Sequence, residues 1–305
     1  MKILSTVYHL STAAILFGAF SCFASQSVQA QIFYVTDSNG LVNTYGASGG
    51  SPTTYSSGYS YPTGIAVDSA NDVFVADPSN GNIYEIPSGG GPGTLFASTG
   101  AGADVLSFYD GNLYAGINNA VLKYDSSGVA TTYAPGLYST FGMAFNQSGV
   151  LFGEMYASGS IYSVPTGGGA PTFFSSSNIN NPAGMAFDSN GDLFVANGGF
   201  SGSGSIVEFA SVGGVLSTTS TIFTTNVNNP IGLAIDSQNN IYVTSAGGSN
   251  EIYEFTPAGV RSNFASSESG GQYIAIAAST PEPSTWALLA LSAIALGTLR
   301  LRRRA

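Results

Sequence analysis

Cysteine and histidine are almost absent from this chain of 305 residues. The single histidine is His9 and the single cysteine is Cys22, so both precede residue 31. From residue 31 onward the sequence therefore offers no thiol nucleophile, disulfide, imidazole base or Cys/His metal site. A Ser-His-Asp triad is excluded in the same region because its base is missing.

Basic residues are also scarce between residues 31 and 279. Lys123 and Arg261 stand against sixteen acidic residues there, which gives this region a formal charge of −14. Such a surface repels polyanions, so we expect no nucleic-acid partner. It suits calcium, cationic or neutral partners, although acidity that keeps a Ser- and Gly-rich protein soluble is the simpler interpretation.

Long apolar runs are confined to the two ends of the chain. At the N-terminus, Lys2 and an apolar segment over residues 13–20 precede the small residues of Val28-Gln29-Ala30. This pattern predicts a signal peptide over residues 1–30 that signal peptidase cleaves between Ala30 and Gln31.

The C-terminal segment, residues 280–305, has three parts. A Pro281-Glu282-Pro283 motif precedes an apolar run over residues 286–299, and the chain then ends in an arginine cluster. The apolar run spans about 21 Å as a helix, near the lower limit for crossing a bilayer. The cluster predicts a cytoplasmic C-terminus for this transmembrane helix. Its members are Arg300, Arg302, Arg303 and Arg304.

This tripartite tail resembles the PEP-CTERM sorting signal of bacterial proteins. The resemblance implies processing by the membrane enzyme exosortase, a transient membrane anchor, and delivery to the cell surface or extracellular matrix. It also implies a role near exopolysaccharide and biofilm, with exopolysaccharide or surface proteins as partners. From the residues alone, an anchor that is never cleaved remains the alternative.

Between these ends the sequence repeats itself about every 40 residues. Clear copies start at Pro62, Pro182 and Pro230, and weaker ones start at Asp104 and Phe141. Each copy contains short alternating apolar segments separated by turn residues, which predicts four strands per copy. A period of this length in a β-rich sequence is typical of β-propeller blades.

The two ends of the repeat region complement each other. Residues 32–37 match the second strand of a copy, and the missing first strand lies at residues 272–277. This predicts an all-β fold, a six-bladed β-propeller over residues 31–279 that is closed by pairing of its N- and C-terminal strands. The repeats resemble those of the NHL family of six-bladed propellers.

Strand alternation places one group of polar residues at a single mouth of the ring, beside Phe200 in a long loop. These are Asp37, Asp77, Glu154 and Asn197. We expect the inner strands to bring only glycine and small aliphatic residues to the axis. The mouth is the predicted ligand site, and its oxygen atoms form a weak candidate calcium set.

Other features of the repeat have structural interpretations. The Asp188–Asp192 turn and its equivalents resemble the start of a calcium loop but favour a hairpin turn. Aromatic residues at repeated strand positions favour packing between blades. Tyr55, Tyr59 and Tyr61 form a separate cluster that is a candidate platform for carbohydrate.

The sequence therefore predicts an exported, exosortase-sorted protein whose propeller is a non-catalytic binding or structural module without a required cofactor. One alternative is a calcium-dependent lactonase or hydrolase at the channel mouth, as in gluconolactonase-type propellers. The related streptogramin-type lyases use histidine, which is missing beyond residue 30. A protein-interaction scaffold is a further alternative.

Overall fold

Hairpin turns built on aspartate organise the repeats. The first aspartate of each clear copy accepts backbone N–H groups from the residues two and four positions later, at 2.8–2.9 Å. These aspartates are Asp68, Asp188 and Asp236. Residues that tolerate positive φ complete the turns. They are Asn71, Gly191 and Asn239. The hairpin interpretation of this motif is confirmed, because the Oδ1 atom of each aspartate binds its own turn.

The computed structural model describes residues 31–198, 202–246 and 250–277. These residues form β-strands apart from turns and one short 3-10 helix at Tyr156–Ser158. No helix in these ranges is long and apolar enough to cross a membrane. The predicted signal peptide up to Ala30 and the predicted tail from residue 280 lie outside the described residues.

The strands follow in chain order, mostly in groups of four. The first group holds β1 (Phe33–Asp37), β2 (Leu41–Gly46) and β3 (Gly49–Ser57). The second holds β4 (Ile65–Val67), β5 (Val73–Asp77), β6 (Asn82–Ile86) and β7 (Thr94–Ser98). The third holds β8 (Ala103–Tyr109), β9 (Asn112–Ile117), β10 (Ala120–Tyr124) and β11 (Ala130–Pro135). The fourth holds β12 (Met143–Phe145), β13 (Leu151–Met155), β14 (Ser160–Val164) and β15 (Thr172–Ser175).

The remaining strands include one small hairpin. The fifth group holds β16 (Pro182–Phe187), β17 (Leu193–Asn197), β18 (Ser203–Phe209) and β21 (Thr221–Asn228). Between its last two strands lie β19 (Ser211–Val212) and β20 (Val215–Leu216). The final strands are β22 (Pro230–Ile235), β23 (Ile241–Ser245), β24 (Glu251–Phe255), β25 (Arg261–Ser266) and β26 (Gly271–Ile276).

In the part of the chain that the structure describes, the strands form four antiparallel four-stranded sheets and one eight-stranded sheet, besides the β19–β20 hairpin. The larger sheet has the order β22-β23-β24-β25-β3-β2-β1-β26, and a single parallel pair, Ala265 with Gly50, joins its two halves. Strand β1 pairs with β26, so the N- and C-terminal strands of the described chain share a sheet. This pairing confirms the predicted closure.

The first strand of each four-stranded group lies innermost, and β26 takes this place beside β1. Strands β4, β8, β12, β16, β22 and β26 contact one another in that order, and β26 contacts β4. The described chain is therefore an all-β propeller, as predicted. Aromatic residues of the second strands pack between neighbouring sheets, as with Phe74, whose ring lies 5.0 Å from Phe96 and 5.7 Å from Phe108. This confirms the packing interpretation of the repeated aromatic position.

Glycine at the start of the inner strands permits this close ring. A Cβ on Gly64 would lie 2.7 Å from the backbone nitrogen of Leu106 in the next sheet. The corresponding clashes at Gly142, Gly184 and Gly232 are also with backbone atoms of the neighbouring inner strand. These glycines are therefore required because adjacent backbones approach too closely for any side chain.

Candidate functional site

A cavity of about 320 Å³ lies at the end of the ring where the inner strands begin. This is the mouth predicted from strand alternation. Its wall is mainly aromatic and apolar, with one carboxylate. The lining residues are Tyr61, Thr63, Pro78, Asp104, Phe141, Tyr156, Gln272 and Tyr273.

Asp104 supplies that carboxylate. It occupies the inner-strand position that is Gly64 in the preceding copy of the repeat. The pairing of β8 with β9 shifts register between Ala103 and Val105, so Asp104 lies in a bulge, as Gly184 and Gly232 do in their own copies. Burial raises the pKa of Asp104 to about 6. Within the described residues, no hydrogen bond to its carboxylate offsets that burial.

Tyr273 is the second departure from glycine on the inner strands. It also lies in a register shift, between β26 and β1. Its hydroxyl donates to the carbonyl oxygen of Phe141 at 2.7 Å, and its N–H donates to Oγ1 of Thr36 at 3.1 Å. Burial raises the pKa of Tyr273 well above its ordinary value, so this hydroxyl stays protonated. The prediction that inner strands bring only small apolar residues to the axis is wrong at Asp104 and Tyr273, because both side chains line the mouth cavity.

Aromatic rings form much of the remaining wall, beside Thr63, Pro78 and Gln272. The rings of Phe141 and Tyr156 meet edge to face with their centroids 5.3 Å apart. Tyr61 lies at the rim with 41% of its surface exposed. Its backbone N–H and that of Ser60 both donate to the carboxylate of Asp77, at 3.3 and 2.7 Å. Asp77 therefore fixes the loop that carries Tyr61.

Among the predicted mouth residues, the four that the structure describes do not line the cavity. Asp77 is fully buried and binds its loop as described. Asn197 has the same role in its own sheet, accepting the N–H of Asn180 at 2.6 Å and donating to the carbonyl oxygen of Asn178 at 3.0 Å. Phe200 lies outside the described residues.

Asp37 and Glu154 are both fully buried. One oxygen of Asp37 accepts from the side-chain amide of Asn43, and burial raises the pKa of Asp37. Glu154 accepts the N–H groups of Phe141 and Gly142 through Oε1, the latter at 3.1 Å. Burial raises the pKa of Glu154 well above its ordinary value, and its Oε2 has no hydrogen-bond partner in the described part of the chain.

Glu154 occupies a repeated position whose side chain binds the inner strand. Thr244 accepts the N–H of Gly232 at 2.8 Å, just as Glu154 accepts that of Gly142. Through Phe141, Glu154 is also connected to the cavity, because the carbonyl oxygen of the same residue accepts from Tyr273. Glu154 therefore holds the backbone of Phe141, a residue of the cavity wall, without lining the cavity itself.

The four oxygen ligands of the candidate calcium set are not brought together. Within residues 31–198, 202–246 and 250–277, no group of three or more Asp, Glu, His or Cys side chains is arranged to hold a metal ion. Each of Asp37, Asp77 and Asn197 instead binds polar groups of its own sheet or adjoining loop.

The predicted tyrosine cluster is divided between two environments. The ring of Tyr55 packs edge-on against Tyr34 with centroids 4.8 Å apart, and Tyr59 packs against Tyr84 at 5.4 Å. These two tyrosines fill space between sheets, so the proposal of a three-residue carbohydrate platform is wrong for them. Only Tyr61 of the cluster faces the cavity.

Comparison with known proteins gives a repeat match in sequence and several matches in structure. The NHL repeat profile matches residues 59–83. No curated protein matches the chain in sequence. Among solved structures, a chain of a nidogen/laminin complex aligns with a TM-score of 0.70 at 14% identity, covering 82% of this chain and 99% of that one.

Two enzymes with the same architecture are also similar. A gluconolactonase from Xanthomonas campestris aligns with a TM-score of 0.61 at 15% identity, covering 80% of this chain and 82% of that one. A virginiamycin B lyase from Staphylococcus aureus aligns with a TM-score of 0.51 at 17% identity, covering 67% and 69%. At these identities the likeness shows the propeller fold alone.

Sequence reasoning missed the main lining residues, although a signal was present. In an alignment of the repeats, Asp104 and Tyr273 stand where the clear copies have glycine. A large polar side chain at a position that otherwise tolerates no Cβ indicates a local opening between inner strands.

Proposed function

We propose that this protein is an exported β-propeller whose mouth cavity holds a small organic ligand without catalysing its reaction. The cavity itself carries the proposal. Its volume of about 320 Å³ falls within the range of small-molecule sites, and one carboxylate stands among aromatic walls. That combination of apolar contact and few polar groups is typical of ligand recognition.

The proposed ring has six blades. Each half of the eight-stranded sheet then counts as one blade, because only the Ala265–Gly50 pair joins the halves. The cyclic contacts among the six inner strands support this count. The blade that contains β26 and β1 combines both ends of the domain, so export processing at residue 281 leaves the ring closed.

The export proposal rests on the two terminal segments. Signal peptidase would release Gln31 as the new N-terminus, and exosortase would act at Pro281-Glu282-Pro283. The mature protein would then reside at the cell surface or in an exopolysaccharide matrix. Mass spectrometry of protein from the surface fraction tests this directly: we expect a chain that begins at Gln31 and lacks the arginine cluster. A full-length chain in the cytoplasm would refute export.

Thermal unfolding with a compound panel tests ligand binding. The panel contains neutral sugars, gluconolactone, amino acids and organic amines. A ligand at about 100 times its Kd stabilises the folded protein by about 2.7 kcal/mol. We expect a compound to stabilise the wild type and to lose this effect in Asp104→Asn or Tyr156→Ala. Exposed Asp110, replaced by Asn, is the matched control. Equal stabilisation of all variants would place binding outside the cavity, and no stabilisation by any compound would refute the proposal.

A lactonase or other hydrolase is the second candidate function. One observation favours it: burial raises the pKa of Asp104 to about 6, a value suited to proton transfer near neutral pH. The similar gluconolactonase fold is consistent with this candidate but carries no residue assignment. Gluconolactone hydrolysis with and without calcium tests it, and activity that disappears in Asp104→Asn would replace the non-catalytic proposal.

A further inference from the structure

Among the described residues, no basic side chain lies beside the negative charge of Asp104 in the mouth cavity. Between residues 31 and 277 the basic side chains are Lys123 and Arg261. Lys123 lies over the ring of Tyr114, with 5.9 Å to its centroid, and Arg261 lies over Tyr253 at 5.0 Å. Neither residue lines the cavity. The carboxylate of Asp104 is therefore left without a described cationic partner, in a wall where burial disfavours its charge.

The atoms around Asp104 are poorly suited to a bare metal ion. Calcium takes six to eight oxygen ligands, whereas Asp104 supplies the only carboxylate in the described wall. Aromatic rings dominate the remaining surface. Ring faces attract cations, and they also offer apolar contact to methyl and methylene groups. This surface matches a cation whose charge is carried by an organic group.

The electrostatic surroundings favour the same class of ligand. Burial is the main cause of the raised pKa of Tyr273, and the negative charge of Asp104 contributes to it. The hydroxyl of Tyr273 donates a hydrogen bond to the carbonyl oxygen of Phe141, so its oxygen atom can still accept a hydrogen bond at the cavity wall. The formal charge of −14 for residues 31–279 adds long-range attraction for cations.

We propose that the mouth cavity binds an organic ammonium ion, with the charged nitrogen against Asp104 and its carbon substituents against the rings of Tyr61, Phe141 and Tyr156. The proposal rests on the proposed function and names its ligand class. The cavity is larger than a single ammonium group needs, so it has space for the rest of the ligand. Carboxylate attraction and ring contact together distinguish this ligand from a neutral sugar.

Choline and its neutral carbon isostere form the sharpest pair of probes. In the isostere a tert-butyl group replaces the trimethylammonium group, so shape is retained and charge is removed. Calorimetric titration at about pH 8 keeps Asp104 ionised, since its pKa is about 6. We expect choline to bind the wild type at least about tenfold more tightly than the isostere, a difference of about 1.4 kcal/mol.

Three variants separate the contributions. Asp104→Asn retains side-chain shape, and we expect it to weaken choline binding at least about tenfold while changing isostere binding little. Tyr156→Leu removes a ring and should weaken choline more than the isostere. Asp110→Asn removes one negative charge from an exposed hairpin turn of the same sheet and should leave both affinities unchanged. Thermal unfolding of each variant verifies that it is folded.

Each outcome has a defined meaning. Equal affinity for choline and its isostere, or equal losses in Asp104→Asn and Asp110→Asn, would overturn the ammonium proposal. So would the absence of choline binding at concentrations up to about 10 mM. If a neutral panel compound then binds the wild type and requires Tyr156, the ammonium class is refuted while the proposed binding function stands. If no panel compound binds, both proposals fall.

Discussion

Replacing Gly184 by alanine probes the close contact between inner strands. A Cβ at this position would lie 2.4 Å from the carbonyl oxygen of Ile231 and 2.7 Å from the nitrogen of Leu233. Both atoms belong to the backbone of β22, so no side-chain rotation relieves the overlap. The two inner strands must move apart, and hydrogen bonds within their sheets resist that movement.

The expected loss follows from this geometry. Overpacking a rigid interior costs about 1–3 kcal/mol, and the stiffness of two paired backbones favours the upper part of that range. In a domain of this size 1 kcal/mol corresponds to about 2–4 °C in Tm. We therefore expect Gly184→Ala to lower Tm by about 4–12 °C. Scanning calorimetry measures Tm and, with the enthalpy, the change in unfolding free energy.

Gly46→Ala provides the control. No atom outside the neighbouring residues lies within 4 Å of a Cβ built there, and its φ is not in the left-handed region. Alanine there reduces the freedom of the unfolded chain, so Tm should stay constant or rise slightly. If Gly184→Ala and Gly46→Ala give the same Tm, the inner strands are not in the close contact described here and the ring geometry is wrong.

Three further substitutions test individual groups. Because the pKa of Asp104 is raised to about 6, its contribution to stability is greatest below about pH 4 and is lost as the pH rises through 6. The unfolding free energy of Asp104→Asn, measured in urea, should therefore rise relative to wild type by about 1–2 kcal/mol between pH 4 and 8, after allowance for solvent screening. A gain independent of pH would contradict this. Burial also raises the pKa of the Glu154 carboxyl, so Glu154→Gln should become increasingly stabilising, relative to wild type, as the pH rises. A difference that stays constant with pH would contradict the raised pKa. Ile274 is buried in β26, the strand that closes the ring, so Ile274→Ala should lower the unfolding free energy by about 2–4 kcal/mol. Ile222 is exposed on an outer strand, and Ile222→Ala should lower it by less than about 0.5 kcal/mol. Equal losses in the two variants would contradict closure.

Much of the fold could be predicted because its determinants are local and repeated. Four strands were expected in the copy that starts at Pro62, and the structure has them as β4, β5, β6 and β7. Asx turns after short apolar segments define these hairpins without reference to distant residues. Closure was also predictable, because residues 32–37 lack the inner strand that residues 272–277 supply.

The candidate site was less accessible because it depends on distant packing. Asp77 and Asn197 end their strands at the expected mouth, but each carboxylate or amide is used to hold a loop. The partners of such groups come from irregular segments that the repeat does not specify. Asp104 gave a usable signal as an exception to the glycine pattern. Its bulge, and the neighbouring Tyr273, became evident only when the sheets were assembled around the axis.

The central claim is that Asp104 is a desolvated carboxylate that binds a cationic ligand at the propeller mouth. Carbon-13 NMR titration of its carboxyl, assigned by comparison with Asp104→Asn, tests this claim most directly. Among the described residues, the other ionisable side chains that line the cavity are the phenols of Tyr61, Tyr156 and Tyr273, and the carboxyl groups of Asp77 and Glu154 bind segments of its wall. We predict a pKa of about 6 for Asp104 in the free protein and a clear decrease when choline saturates the cavity. A pKa near the ordinary value of about 4, unchanged by choline, would contradict the claim.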